Sequence, residues 1–222
     1  MTRSTWYPYR LGMPDLDSVM RGLMRDVGAA LRPRGFRGSG GVWRLITAEG
    51  VAVVETQGAR GSTSAAKLFF LDTAVVPTVW WEWTTGTTSQ IEKAREANGI
   101  RLLEGRVEST DPTHADNYAY QWRLAADTDI NRLRADLLAG VARAADRLID
   151  LLEPGRYLDE LRALPDKQVG HWQALVVLLA ARGPSSELDA ACAGLRDSFA
   201  DRPYAAGHVD RLVTWSQTRA SG

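Results

Sequence analysis

Arginine side chains gather around a glycine-rich stretch of the sequence, and this combination could bind a negatively charged group. Exposed backbone amides beside guanidinium groups bind anions such as phosphate. The candidate anion-binding residues are Arg34, Arg37, Arg44 and Arg60. The known phosphate and dinucleotide loops open a helix, whereas this stretch follows a predicted helix and leads into a strand. The order of elements therefore favours a flexible connector over a phosphate loop.

Three tryptophans within four positions form a second candidate site. We predict that the segment Thr78–Thr84 is a strand, in which Trp81 and Trp83 face one way and Trp80 and Glu82 the other. One face would belong to the core and the other would stay partly uncovered. Because tryptophan is prominent at the energetic centres of protein interfaces, these four residues are predicted to bind a protein partner.

Residues suited to acid–base or metal chemistry are few. The sequence contains three histidines: His114, His171 and His208. Metal sites generally need three or four supported ligands, so we predict no metal and no cofactor. The single cysteine, Cys192, lies among apolar neighbours and lacks the context of a catalytic cysteine. Glu55 and Glu82 lie on predicted strands, and a carboxylate pair there is the hydrolytic alternative.

Composition limits the classes of partner and compartment. Lys and Arg together number 27, as do Asp and Glu, so no overall charge draws the chain to nucleic acid or an anionic membrane. The longest apolar run, residues 174–181, is far shorter than the roughly 20 residues that span a bilayer. A single cysteine fits a reducing compartment. We therefore expect a cytoplasmic protein with no membrane segment.

The elements that would position these residues follow from hydrophobic periodicity and from helix and turn signals. An amphipathic helix is predicted over Pro14–Leu31, ending at Pro33 and Gly35, and a short helix with a capping-box start over Gln90–Ala97. Strand patterns occupy Val42–Thr47, Val51–Thr56, Ala66–Val76, Thr78–Thr84, Ile100–Glu108 and Asn117–Ala125. The second of these strands is apolar on both faces, so we place it at the centre of the sheet.

The part of the chain that follows the predicted strands is helical in pattern. A long amphipathic helix is predicted over Ile130–Leu152, packing across the sheet beside the first helix and ending at Pro154 and Gly155. Four further helices and no strand follow it. The sequence therefore predicts an α+β fold with an N-terminal helix and a five- to six-stranded, largely antiparallel sheet covered by helices. The predicted domains are residues 1–154 and a helical unit over residues 155–222.

The junction between the first helix and the hairpin resembles a bacterial family known as domain of unknown function 4304. The likeness lies in Gly35-Phe36 at the helix end, the basic Arg37, the aromatic Trp43 and a strand ending in Gln57. Residues 69–75 resemble the family's third strand, although Asp72 and Ala74 stand where the family favours Asn and Gly. The resemblance covers roughly residues 14–152, sharpens the fold and implies no activity.

Three functional hypotheses remain from the sequence. The leading one is a non-enzymatic protein-binding module of the immunity or regulatory type, because no catalytic motif is present. The second is a small-molecule or nucleotide-processing enzyme that uses the arginine-rich hairpin with Glu55 or Glu82. The third is nucleic-acid binding through the arginines and the aromatic residues Phe36 and Trp43, against which the neutral total charge stands. The sequence assigns no oligomeric state.

Overall fold

The computed structural model describes residues 15–100, 102, 105–116, 118 and 120–222 of the 222-residue chain. Its α-helices are α1 Leu16–Leu31, α2 Thr78–Thr85, α3 Ile130–Leu151, α4 Arg156–Ala163, α5 Val169–Ala180, α6 Ser186–Ser198 and α7 Ala206–Ser221. Its strands are β1 Arg37–Ser39, β2 Val42–Ile46, β3 Gly50–Gly58, β4 Ala66–Pro77 and β5 Trp122–Ala125. The fold is α+β, as predicted.

The five strands form one antiparallel sheet in the order β1-β2-β3-β4-β5. The apolar β3 is its central strand, which confirms the prediction made from its two apolar faces. Alternation divides β3 between the two sides of the sheet. We call the side of Ala52 and Val54 the inner face and the side of Val53 and Glu55 the outer face.

The entry into the sheet follows the predicted helix signals. The Asp15 side chain accepts a hydrogen bond from the backbone N–H of Asp17, 3.1 Å away, and so caps α1. A single 3₁₀ turn over Arg32–Arg34 contains Pro33, and Gly35 follows with φ of 89°, a conformation that glycine adopts without strain. Pro14, the predicted start of the helix, lies outside the described residues.

Helices α1 and α3 pack side by side over the inner face, as predicted. Their fully buried leucines and valines meet the sheet residues Phe69, Leu71 and Trp122 in one apolar cluster. The indole of Trp122 donates a hydrogen bond to the carbonyl of Val107, 2.9 Å away, which satisfies its buried N–H. The inner face is therefore a closed core.

The segment predicted as the Thr78–Thr84 strand is instead the helix α2, so that prediction is wrong. Pro77 ends β4, and Gly86, with φ of 73°, closes the helix by donating its N–H to the carbonyl of Glu82. Successive residues of a helix turn by about 100°, whereas strand residues alternate between two faces. The helix can therefore send its three indoles toward different neighbours.

Two further elements differ from the prediction in kind. The Gln90–Ala97 helix is a pair of single 3₁₀ turns, Ile91–Lys93 and Glu96–Asn98. The predicted strand over Ile100–Glu108 lies beside β4, but it pairs only through isolated bridges at Val75 with Ile100 and Asp72 with Arg106. Arg101, Leu103 and Glu104 lie outside the described residues. This segment contacts β4 without extending the sheet as a sixth regular strand.

The predicted strand over Asn117–Ala125 is regular only at its end, as β5. Asn117 and Ala119 lie outside the described residues. Of the alternating aromatic stripe, Trp122 and Leu124 are buried, whereas Tyr120 is half-buried and Tyr118 is 58% exposed. The stripe is therefore core at one end and surface at the other.

The C-terminal part is helical, as predicted. The core cluster runs without interruption from α1 through α3 into α4, α5, α6 and α7. Apolar residues cover most sides of α5, which contacts α2, α4, α6 and α7. No helix in the described part of the chain has the length and apolar character needed to cross a bilayer. The division at residues 154 and 155 stays a prediction.

Candidate functional site

Two buried carboxylates stand side by side on the outer face. Glu55 of β3 and Asp72 of β4 are directly paired in the register of the two strands, so their side chains project from the same face. Glu55 is 6% exposed and Asp72 is fully buried. Buried carboxylates are costly unless charge or hydrogen bonds compensate them, so this pair needs partners.

Arginine side chains supply those partners from two segments, of which one lies over the outer face and the other along the edge of β4. Arg95, in the loop between the two 3₁₀ turns, donates to both carboxylate oxygens of Glu55, with 2.9 Å between Nε and Oε2. Arg106 donates from Nε to Oδ1 of Asp72 at 2.8 Å, and no residue that the structure describes donates a hydrogen bond to Oδ2 of Asp72. The two ion pairs fix the segments around Arg95 and Arg106 against the sheet.

The electrostatics of Glu55 argue against a role as a proton donor. Hydrogen bonds from Arg95 lower the pKa of its carboxyl, and the backbone N–H of Glu96, 3.2 Å away, acts in the same direction. Burial alone would raise the pKa, but the hydrogen bonds outweigh it. Glu55 is therefore ionised at neutral pH and serves as an anchor rather than as an acid catalyst.

Aromatic rings extend this network to the surface. The guanidinium of Arg106 lies over the ring of Phe70 at 4.2 Å and over that of Tyr120 at 4.8 Å. Tyr120 in turn stacks on Tyr118, with 5.2 Å between centroids and 3° between ring planes. We call Phe70, Arg106, Tyr118 and Tyr120 the tyrosine platform. Its outermost ring is among the few large apolar groups that the described part of the chain exposes.

The predicted tryptophan site is engaged within the molecule. Trp80 donates its indole N–H to the carbonyl of Asn98 at 3.0 Å, and Trp81 donates to that of Ser89 at 3.0 Å. Trp83 packs against Trp215 of α7, with 5.3 Å between centroids. These contacts join α2 to the outer face on one side and to the C-terminal helices on the other.

Glu82 does not lie beside Glu55. It pairs with Arg219 of α7, with 3.6 Å between Oε2 and Nε, whereas Glu55 pairs with Arg95. The carboxylate that does stand beside Glu55 is Asp72. The structure therefore does not assemble the predicted Glu55–Glu82 pair.

The structure distributes the four predicted anion-binding arginines over different surroundings. Arg34 pairs with Asp146 of α3 at 2.7 Å, whereas Arg60 lies in an exposed loop. Arg37 and Arg44 are cross-strand neighbours, and Arg44 donates to the carbonyl of Ala94 at 2.5 Å. Of the four arginines, the fold therefore brings only Arg37 and Arg44 next to each other.

A buried histidine sits in a constellation whose residue types suggest catalysis but whose connectivity does not. His114 Nδ1 lies 3.0 Å from Asp136 Oδ2, and Ser109 Oγ donates to that same oxygen. In a catalytic triad the serine hydroxyl bonds to the histidine instead. Thr110 also donates to Asp136, and these bonds hold the pKa of its carboxyl well below the usual range despite burial. The cluster ties the loop at residues 109–114 to α3.

The remaining candidates have structural surroundings. His171 Nδ1 accepts from the backbone N–H of Gln168 at the start of α5, and His208 lies 2.9 Å from the amide nitrogen of Gln173. Burial raises the pKa of the Cys192 thiol, which lies 3.8 Å from Ser216 Oγ. Among the described residues no three His, Cys, Asp or Glu side chains are grouped so as to hold a metal ion.

Sequence reasoning missed Asp72, Arg95, Arg106 and the exposed Tyr118. Asp72 drew attention only as a departure from the resembling family, and an acidic residue in a strand that is otherwise apolar was a signal that it required a buried partner. Arg95 lies 40 residues after its partner Glu55, and Arg106 lies 34 residues after its partner Asp72, both on irregular segments without periodicity. No local pattern could have connected them to Asp72 and Glu55.

Comparison with known proteins gives one family. The family model described as a domain of unknown function, DUF4304, matches residues 27–150, from the middle of α1 to the end of α3. The outer-face carboxylates and the tyrosine platform lie inside the matched region, and helices α4 to α7 lie beyond it. No curated protein and no solved structure matches the chain.

Proposed function

Since the chain belongs to the DUF4304 family, a domain of unknown function, we propose its role from its own geometry: a non-enzymatic module that binds another protein. An immunity or regulatory protein is a concrete form of this role. The observation that carries the proposal is the tyrosine platform, an exposed aromatic stack beside two ion pairs whose carboxylates are buried in the sheet.

The composition of the platform supports protein recognition. Tyrosine and arginine are enriched at interface hot spots because both present a large contact surface together with a polar group. Tyr118 is 58% exposed, and its ring is stacked parallel to that of Tyr120. Because the two rings are already ordered by this contact, a partner can bind to them at little cost in conformational entropy. Preorganisation of this kind favours binding.

The ion pairs beside the platform support the same proposal. Arg106 contacts Phe70 and Tyr120 while it pairs with the fully buried Asp72, so the rings are connected to the central strands of the sheet. Hydrogen bonds from Arg95 lower the pKa of the neighbouring Glu55 carboxyl. A carboxylate that is ionised and paired with an arginine is not available as a general acid, which an enzyme acting at the outer face would need.

Photocrosslinking in the native host tests the platform. A benzoylphenylalanine side chain is placed at Tyr118, and the matched control places it at Tyr204, which is 86% exposed and lies between α6 and α7. We expect a distinct protein to crosslink from position 118 and not from position 204. Tyr120→Ala in the position-118 variant should lower the yield by at least about tenfold, as truncation at a hot spot does.

Identical crosslinks from both positions, or none from position 118, would overturn the proposal. Circular dichroism of each variant shows that the fold is retained. The variant Trp83→Ala tests whether the tryptophans bind the partner instead. Because Trp83 packs on Trp215, we expect this substitution to lower the stability of the protein. The crosslink from position 118 should remain in the fraction of molecules that folds.

A further inference from the structure

A second surface feature, remote from the tyrosine platform, is a cleft between α1 and the turn that joins β1 to β2. Its volume is about 860 Å³, within the range of small-molecule sites. One wall is the solvent-facing side of α1 and the other is the glycine turn Gly38–Gly41. Gly38, Gly40 and Gly41 all have positive φ, so the turn needs glycine and presents backbone rather than side chains to the cleft.

The charged residues that line the cleft in the described part of the chain are all arginines. They are Arg21, Arg25 and Arg32, which follow one another at helical spacing. Arg21 lies 3.6 Å from Asp15, but Arg25 and Arg32 form no ion pair with any residue that the structure describes. Two guanidinium groups with unused donors on one side of a cleft favour an anionic ligand.

The floor of the cleft is apolar and contains an unused donor. Trp43 is 4% exposed, and its indole N–H has no hydrogen-bond acceptor among the described residues. By contrast, the buried indoles of Trp81 and Trp122 both donate to backbone carbonyls. The Trp43 nitrogen is not among the fully buried unpartnered atoms of the described chain, so its N–H is accessible to a ligand in the cleft and can donate to it.

A glycine of α1 makes room for that indole. A Cβ atom at Gly28 would stand 2.8 Å from Nε1 of Trp43, so no larger residue fits there without moving the ring. Met24 lies beside it, and its sulfur accepts a hydrogen bond from Thr56 Oγ1 at 3.0 Å. The indole edge and the thioethers of Met20 and Met24 together form an adaptable apolar floor.

We propose that this cleft binds an amphipathic anion, in which a carboxylate or phosphate is attached to an apolar chain or ring. Arg25 and Arg32 would contact the anionic group, the Trp43 N–H would donate to one of its oxygens, and Met20 and Met24 would contact the apolar part. Every free polar group described above is a donor, so the ligand has to bring acceptors. The cleft is independent of the platform, and this proposal does not rest on protein binding.

Calorimetry with matched amphiphiles tests the proposal on the full chain. The probes are dodecanoate, dodecyl phosphate and dodecyltrimethylammonium, each below its micellar concentration, together with inorganic phosphate. We expect both anionic amphiphiles to bind at a single site, and the cation with the same chain to bind at least about tenfold more weakly. Inorganic phosphate alone should bind more weakly than dodecyl phosphate, because it lacks the apolar part.

Three variants locate the site. Arg25→Glu with Arg32→Glu should weaken binding of the anionic amphiphiles by at least about tenfold, and Trp43→Phe, which keeps an aromatic ring and removes the N–H, by several-fold. Arg196→Glu with Arg211→Glu, on α6 and α7, is the matched control: two exposed arginines outside the cleft undergo the same charge change, and the affinity should stay unchanged. Circular dichroism confirms that each variant folds.

Several results would overturn the proposal. They are equal affinity for the cationic and anionic amphiphiles, unchanged affinity in the Arg25→Glu, Arg32→Glu variant, and absence of binding by any probe. Binding to anionic vesicles without binding of the single amphiphiles would assign the arginines to a membrane surface instead. Failure of the crosslinking from Tyr118 would leave this proposal standing, because the two experiments use different surfaces.

Discussion

At the scale of single residues, the outer face of β4 shows how a buried charge and a close approach of two segments are accommodated. Arg106 pairs with the carboxylate of Asp72, and Gly99 lies opposite Ala74, so that a Cβ at position 99 would stand 2.6 Å from that of Ala74. The charge of Asp72 is thus compensated by a guanidinium group, and the methyl group of Ala74 is accommodated by the missing side chain at Gly99.

Glu55 supplies a prediction about acid stability. Since Arg95 lowers its pKa in the fold, the carboxylate contributes stability above the unfolded pKa of about 4.3, and this contribution is lost as the pH falls through the folded value. Glu55→Gln should lower the free energy of unfolding at pH 7 by about 1–3 kcal/mol. The difference from the wild type should shrink as the pH falls below the unfolded pKa, because the unfolded chain then binds a proton more readily than the fold does.

Urea unfolding at a series of pH values measures this difference. Glu92→Gln, an exposed glutamate three residues from Arg95, is the matched control and should change stability at neither pH. A difference between Glu55→Gln and the wild type that stays constant from pH 7 to pH 3 would show that the ion pair with Arg95 does not stabilise the fold.

At the scale of elements, contacts between a helix and a loop determine whether replacing a helix glycine by alanine raises or lowers stability. Gly140 lies in the middle of α3, where alanine is normally the better helix former by about 1 kcal/mol. A Cβ atom there would stand 2.7 Å from Cγ1 of Val107 and 3.3 Å from the carbonyl oxygen of Glu108. The loop at residues 105–108 therefore packs against α3 only because position 140 has no side chain.

We expect Gly140→Ala to destabilise the protein by about 1–3 kcal/mol, the usual cost of overpacking, in spite of its higher helix propensity. Gly22→Ala in α1 is the matched control, because the nearest atom to its Cβ is the end of the Arg25 side chain at 3.9 Å. That variant should stabilise the protein by about 0.5–1 kcal/mol. Thermal unfolding of both variants decides between propensity and packing.

A double-mutant cycle identifies the contact. Val107→Ala removes the atom that the new methyl group meets, so Val107→Ala with Gly140→Ala should be more stable than the sum of the single effects by about 0.5–3 kcal/mol. Additive effects would show that Val107 does not contact a side chain placed at position 140.

At the scale of the whole molecule, the apolar core joins the family-matched region to the helices that follow it. The match ends at residue 150, but one buried cluster includes residues of α1 and α3 together with Leu161, Leu195 and Leu212 of the C-terminal helices. Trp83 on α2 and Trp215 on α7 pack against this cluster and against each other. A continuous core of this kind favours cooperative unfolding of the entire chain.

Trp215→Ala tests that cooperativity. Because Trp215 is half-buried, we expect a loss of about 2–3 kcal/mol, somewhat less than for a fully buried tryptophan. If the chain is one unit, hydrogen exchange should show the same loss of protection for the most protected amides of β3 and of α6. A loss confined to α6 and its neighbours would instead support the predicted division into residues 1–154 and 155–222.

The sequence by itself determined the elements whose signals are local. The end of α1 at Pro33 and Gly35, the β2–β3 hairpin, the stop of α3 before Pro154 and the helical C-terminal part follow from periodicity and from proline and glycine. These signals act within a few residues of the backbone, so no knowledge of distant contacts is needed to interpret them.

Only the tertiary structure decided the conformation of α2 and the composition of the sites. Residues 78–85 carry strand-forming side chains, yet a helix allows Trp81 to reach the outer face and Trp83 to reach α7, and burial of both outweighs local propensity. The partners of Glu55 and Asp72 come from irregular segments far along the chain, and the cleft forms where α1 meets a turn. Contacts between distant residues carry these features, and local sequence patterns do not record them.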